Sequence, residues 1–119
     1  MTSPRHNRID YIEISAPDLE ASKRFYGDVF GWEFNDYGPG YAGIRGTGDH
    51  EVGGLNPQGP EHRGGGALVL LFSDDLDAAA VAVESAGGRV SQGPYAFPGG
   101  RRFHFTDPAG NELGVWSES

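Results

Sequence analysis

Between Ile9 and Ser15 apolar and polar positions alternate, with Asp10, Ile12 and Ile14 on one side and Ile9, Tyr11, Glu13 and Ser15 on the other, the two-residue period of a strand. The apolar Ile12 and Ile14 belong under a helix, which sends Tyr11 and Glu13 to the opposite face. Asp18, after Pro17, is a helix-capping residue. Leu19, Ser22, Phe25, Tyr26, Val29 and Phe30 then recur at spacings of three and one up to Gly31, predicting an amphipathic helix. Short strand-like pieces follow at Trp32 to Asp36, Tyr41 to Arg45 and Glu51 to Leu55, parted by Gly38-Pro39-Gly40 and Gly46-Thr47-Gly48-Asp49 as turns.

Residues Asn56 to Gly66 hold two Pro, four Gly and no apolar side chain, the composition of a linker. Beyond it the order repeats. Ala67 to Phe72 is an apolar strand, Asp75 a second cap, and Leu76, Ala79, Ala80, Val83 and Ala86 trace a second helix ending at Gly87-Gly88. Strand pieces then fall at Arg89 to Ser91, Arg102 to Thr106 and Glu112 to Trp116. Asp18-Leu19-Glu20-Ala21 and Asp75-Leu76-Asp77-Ala78 stand 57 positions apart (75 − 18), and the same shift carries Gly31 onto Gly88. The chain reads as an internal duplication. The expected fold is α+β, with two βαβββ modules at about 8–55 and 66–117 joined by a linker over 56–65. Neither module has enough apolar surface alone, so the two complete each other's core or pair across a dimer, and the 119 residues are expected to form a single domain.

Composition narrows the function. Hydrophobic residues at 37% and charged residues at 22% describe a globular protein, and no apolar run reaches the roughly 18 residues of a membrane span. A net charge of −8 repels phosphate backbones and anionic membranes, so neither nucleic acid nor membrane is an expected partner. With no cysteine there is no disulfide framework, thiolate nucleophile or cysteine-ligated zinc. No charged-then-apolar leader opens the chain, and a bacterial cytoplasmic location is the expectation.

The doubled βαβββ order, the run Asp18-Leu19-Glu20-Ala21-Ser22-Lys23-Arg24-Phe25-Tyr26 followed by Phe30-Gly31-Trp32, and Asp107-Pro108-Ala109-Gly110-Asn111 near the end resemble the vicinal oxygen chelate superfamily. That family includes glyoxalase I, bleomycin-resistance proteins and extradiol dioxygenases. The resemblance implies a curved mixed sheet around a concave cavity, with helices on the convex side. It also implies metal ligands on the first and last strands of each module of the metal enzymes. Those positions fall here on Tyr11, about Gly54, Leu68 and Gly114, none a good ligand, so neither metal nor cofactor is expected. His6, His50, His62 and His104 are the only imidazoles, and no two share a helical spacing.

Taking Asp107 to Asn111 as a hairpin loop pairs Thr106 with Glu112, His104 with Gly114 and Arg102 with Trp116. Phe103, Phe105, Leu113 and Val115 then form the layer under the helices, leaving Arg102, His104, Glu112 and Trp116 on the concave side with Tyr11 and Glu13. These six are the expected ligand-binding residues. Glu13, a carboxylate in a strand, invites a charged partner, and Glu13 and His104 are the acid–base candidates if the protein is an enzyme. Tyr11 and Trp116 are suited to hold a planar ligand between them, with Arg102 stacked over Trp116. Gly99-Gly100 reads as a loop able to close over the cavity.

The leading expectation is a metal-independent small-molecule binding protein of the bleomycin-resistance type, linked to antibiotic resistance, that takes a planar neutral-to-cationic compound. One alternative is a glyoxalase-like lyase or isomerase, or a dioxygenase-type enzyme, using Glu13 and His104 for acid–base work or for a displaced metal site. Another is a protein-interaction module without ligand. Free sheet edges predict a homodimer.

Overall fold

The computed structural model describes residues 3–59 and 67–119, so the expected linker past Gly59, with His62, lies outside the described residues. The elements are β1 (Ile12–Ser15), α1 (Leu19–Phe30), β2 (Phe34–Asp36), β3 (Ala42–Arg45), β4 (Glu51–Asn56), β5 (Leu70–Phe72), α2 (Leu76–Ser85), β6 (Arg89–Phe97), β7 (Gly100–Thr106) and β8 (Glu112–Ser117). They build two mixed four-stranded sheets in the orders β1-β4-β3-β2 and β5-β8-β7-β6. In each, the strand before the helix runs parallel to the last strand of its half, and the other pairs are antiparallel. This is the α+β architecture expected from the pattern.

Both helices start on an aspartate. Asp18 accepts from the Ala21 N–H and Asp75 from the Ala78 N–H, each at 3.1 Å, satisfying donors that the first turn leaves open. α1 stops at Gly31, whose φ of 71° is a left-handed conformation that a side chain would strain.

The helices cover one face of the sheets and share a core. Tyr26 stacks on Trp32 with centroids 4.5 Å apart and meets Phe25 edge-on at 5.0 Å. Phe105 of β7 lies 6.1 Å from Phe25 and 5.7 Å from Phe30, so the aromatic side of α1 packs onto the second half. Phe103, Phe105, Leu113 and Val115 are all buried with Ile14, whereas Ile12 stays 38% exposed near the end of its sheet. The β7–β8 register pairs Arg102 with Trp116, His104 with Gly114 and Thr106 with Glu112.

β1 starts at Ile12 rather than Ile9 and β5 at Leu70 rather than Ala67, so Tyr11 and Leu68 precede their strands, and two larger expectations change. β6 does not end at Ser91 but continues to Phe97, its register shifting between Val90 and Tyr95. It is the edge strand, so Pro94 breaks no ladder bond on its outer side. Gly99-Gly100 is not a closing loop: Phe97 pairs with Gly100, and Pro98-Gly99 is the tight connection of a hairpin.

Candidate functional site

On the first sheet, Glu13, Gly54, Gly43 and Asn35 form one row across β1, β4, β3 and β2. The two central glycines leave a trough. A Cβ on Gly54 would collide with the Tyr41 hydroxyl, and one on Gly43 with the Glu51 carboxylate. Both groups therefore lie flat on the sheet, the Tyr41 hydroxyl meeting Tyr11 and Glu13 and the Glu51 carboxylate meeting Tyr11.

The contacts form a chain. Tyr37 donates to Glu51 Oε1 at 2.8 Å, as does Asn35 Nδ2 at 3.0 Å. The Tyr11 hydroxyl donates to Glu51 Oε2 at 2.8 Å and lies 2.9 Å from the Tyr41 hydroxyl. Tyr41 donates to Glu13 Oε2 at 3.0 Å, and Asn56 Nδ2 to Glu13 Oε1 at 2.9 Å. The hydrogen bonds from Asn35, Tyr37 and Tyr11 hold the Glu51 carboxyl below its usual pKa. The phenols move the other way. Tyr11 and Tyr41 are raised first by burial, and Tyr37 first by its bond to Glu51. Tyrosines stay protonated and Glu51 ionised at neutral pH, and among the described residues no Lys or Arg ion-pairs with Glu13 or Glu51.

The second sheet repeats the geometry with different chemistry. Leu70, Gly114, His104 and Gln92 form the corresponding row. His104 Nδ1 lies 3.1 Å from Glu112 Oε2 and its Nε2 2.8 Å from the Tyr95 hydroxyl, which accepts from Arg102 Nε at 2.6 Å. The Arg102 guanidinium sits over the Tyr95 and Phe97 rings, 5.4 Å from each centroid, and not over Trp116. The extension of β6 supplies both rings. Trp116 instead meets Phe72 and Phe97 edge-on at 5.1 and 6.1 Å.

The six expected residues thus divide, Tyr11 and Glu13 on the first sheet and Arg102, His104, Glu112 and Trp116 on the second. Among the described residues, the side-chain hydrogen bonds of each group stay within its own sheet, and nothing joins Tyr11 to Trp116 or Glu13 to Glu112 or His104. Arg101, beside Arg102, turns away to pair with Asp77 at 3.1 Å. Sequence reasoning missed Tyr37, Tyr41, Glu51, Tyr95 and Phe97. Gly43 and Gly54 inside strands were the available signal for the first three, since mid-strand glycine marks a close approach.

A divalent metal does not fit the positions where the resemblance implies one. Over Gly54 lies the Tyr41 hydroxyl, and the Leu70 side chain fills the space a Cβ on Gly114 would need. Tyr11 and Leu68 complete a set that falls short of the three or four donors a divalent ion requires. Among the described residues no three of His, Asp and Glu cluster closely enough to hold an ion.

The chain is 34% identical over 124 residues to the anthracycline biosynthesis protein DnrV of Streptomyces peucetius, covering 89% of this chain and 45% of the relative, so it spans about half that relative's length. It is 32% identical over 114 residues to a glyoxylase-like domain-containing protein of Didymella fabae, covering 86% of this chain and 88% of the other. The crystal structure of TnmS3, an antibiotic binding protein from Streptomyces sp. CB03234, superposes with a TM-score of 0.68 at 27% identity, covering 95% and 97% of the two chains. The family model for the Glyoxalase/Bleomycin resistance protein/Dioxygenase superfamily matches residues 8–115, and with two helix-capped βαβββ halves and their open sheet faces, the chain belongs to that superfamily.

Proposed function

We propose that this protein binds a small planar compound, neutral to cationic, on the open faces of its sheets without a metal ion. One observation carries the reading. On the first sheet, four oxygen-to-oxygen contacts link Tyr11, Tyr37, Tyr41, Glu13 and Glu51. Three phenols supply three protons, so one contact lacks a donor, beside two carboxylates with no described cation. An ammonium or other cationic N–H donor supplies both the hydrogen and the charge. The overall negative charge speeds the arrival of such a ligand. The descriptions of TnmS3 as antibiotic binding and of DnrV as an anthracycline biosynthesis protein support an antibiotic or a related intermediate as the ligand.

The protein works as a homodimer in a bacterial cytoplasm. β1, β2, β5 and β6 each pair on one side only, leaving four sheet edges. A second copy would set the Tyr11 and Glu13 face of one protomer against the Arg102, His104, Glu112 and Trp116 face of the other, bringing Tyr11 and Trp116 to the two sides of one ligand. Light scattering at micromolar concentration tests this, and a monomer mass contradicts it.

A thermal-shift screen of planar cations and antibiotics tests the binding reading, since a ligand at one hundred times its dissociation constant stabilises by about 2.7 kcal/mol. Elemental analysis of protein purified without added metal runs beside it, and stoichiometric metal contradicts the metal-free part. A second reading, a metal-free lyase or isomerase, is favoured by His104 standing between a carboxylate and a phenol.

A further inference from the structure

We propose that Tyr95 is a nucleophilic phenol that takes an acyl group from activated carbonyl compounds, with His104 as its base, Glu112 positioning His104, and Arg102 stabilising the oxyanion. The inference goes beyond binding and stands independently of it.

The order of partners along the chain fixes the roles. Glu112 Oε2 faces Nδ1 of His104, so a proton on Nδ1 points at a carboxylate and leaves Nε2 with a lone pair. That lone pair faces the Tyr95 hydroxyl at 2.8 Å, as a base faces its nucleophile. The phenol oxygen in turn accepts from Arg102 Nε at 2.6 Å, which places a fixed positive charge where phenolate charge develops. Among the described residues no partner takes the Arg102 Nη groups, which remain as donors for a second oxygen. This is the sequence of nucleophile, base and orienting carboxylate that acyl transfer requires, with a cation added. Tyr95 lies half-buried on the edge strand β6.

The step balances. The Tyr95 oxygen bonds to the carbonyl carbon as its proton passes to His104 Nε2, and the carbonyl electron pair moves onto oxygen beside the Arg102 Nη groups. Collapse expels the leaving group, which takes the proton from His104, and leaves an acyl-tyrosine.

The first sheet supplies an internal control. Tyr37 is 59% exposed but donates to Glu51, and that bond holds its proton on. Accessibility and activation therefore favour different tyrosines.

The test uses the full chain with p-nitrophenyl acetate, reading nitrophenolate release and locating the acetyl group by peptide mass spectrometry. The expected result is a stoichiometric burst with acetate on Tyr95 ahead of Tyr37, abolished in Tyr95→Phe. His104→Gln slows it about tenfold or more, and Glu112→Gln by less, with both variants keeping the thermal midpoint. Added imidazole restores acetate on Tyr95 in His104→Gly, read by peptide mass spectrometry because free imidazole itself releases nitrophenolate, and a merely structural role for His104 would not produce it. Acetylation of Tyr37 at a rate equal to or above that of Tyr95, or a burst unchanged in His104→Gln, overturns the proposal. Neither outcome touches the binding reading, which calorimetry tests separately.

Discussion

The Tyr26 hydroxyl donates to Asp107 Oδ2 at 2.8 Å, tying the helix of the first half to the hairpin turn of the second inside the shared core. Asp107 also accepts from the Ala109 and Asn111 backbone N–H groups and from Asn111 Nδ2, which in turn donates to the Ser15 carbonyl at 2.7 Å. One carboxylate thus closes the turn and joins the halves. Burial, then the Asp107 charge, push the Tyr26 phenol far above its usual pKa. Tyr26→Phe keeps the ring stacked on Trp32 and removes one donor to a buried charge, so stability falls by about 1.5 to 3 kcal/mol in denaturant unfolding. A change within error means that the Tyr26 bond adds nothing to the packing and to the Asn111 bond to Ser15 that also join the halves.

The trough on the first sheet yields the second prediction. Gly54→Ala pushes the Tyr41 hydroxyl aside, and Gly43→Ala displaces the Glu51 carboxylate. The obstacles are ends of side chains at the open face, so the fold survives and the polar chain breaks. Circular dichroism is expected to stay native while affinity for a planar cation drops in both variants.

Glu51 sets an acid-side expectation. Its folded pKa is held below the usual carboxylate value by the bonds from Asn35, Tyr37 and Tyr11, so those bonds contribute stability above the unfolded pKa and lose that contribution as pH falls through the folded one. Unfolding measured from pH near 7 downward is expected to show a smaller acid loss in Glu51→Gln than in the wild type. Equal acid profiles would falsify the assignment.

The fold was legible because its signals are local. Asp18, Asp75 and Gly31 mark helix ends by chemistry that the structure reproduces, and alternation around Phe103 to Val115 fixed the β7–β8 register, since slipping by one residue would expose four apolar side chains. β6 was hidden because Gly93-Pro94 reads as a break, and only its edge position tolerates that pair. Tyr95 and Phe97 stayed out of view with it. Strand parity placed Tyr11 and Trp116 on faces opposite the helices, but parity along one strand says nothing about which sheet another strand joins. The partners of Arg102 followed from the same gap, because the rings that receive it lie on the unread part of β6.

The central claim is that an excess of acceptors on the first sheet selects cations. Titration calorimetry at neutral pH with 9-aminoacridine, a planar cation, and acridine, its neutral counterpart, tests it directly on the wild type and Glu13→Gln. The account predicts that the cation binds more tightly than the neutral ring, and that Glu13→Gln weakens the cation by about 1.5 to 3 kcal/mol, the range for a charge-assisted hydrogen bond, while sparing the neutral ring. Equal affinity for the two compounds in the wild type, or an unchanged cation affinity in Glu13→Gln, would contradict it.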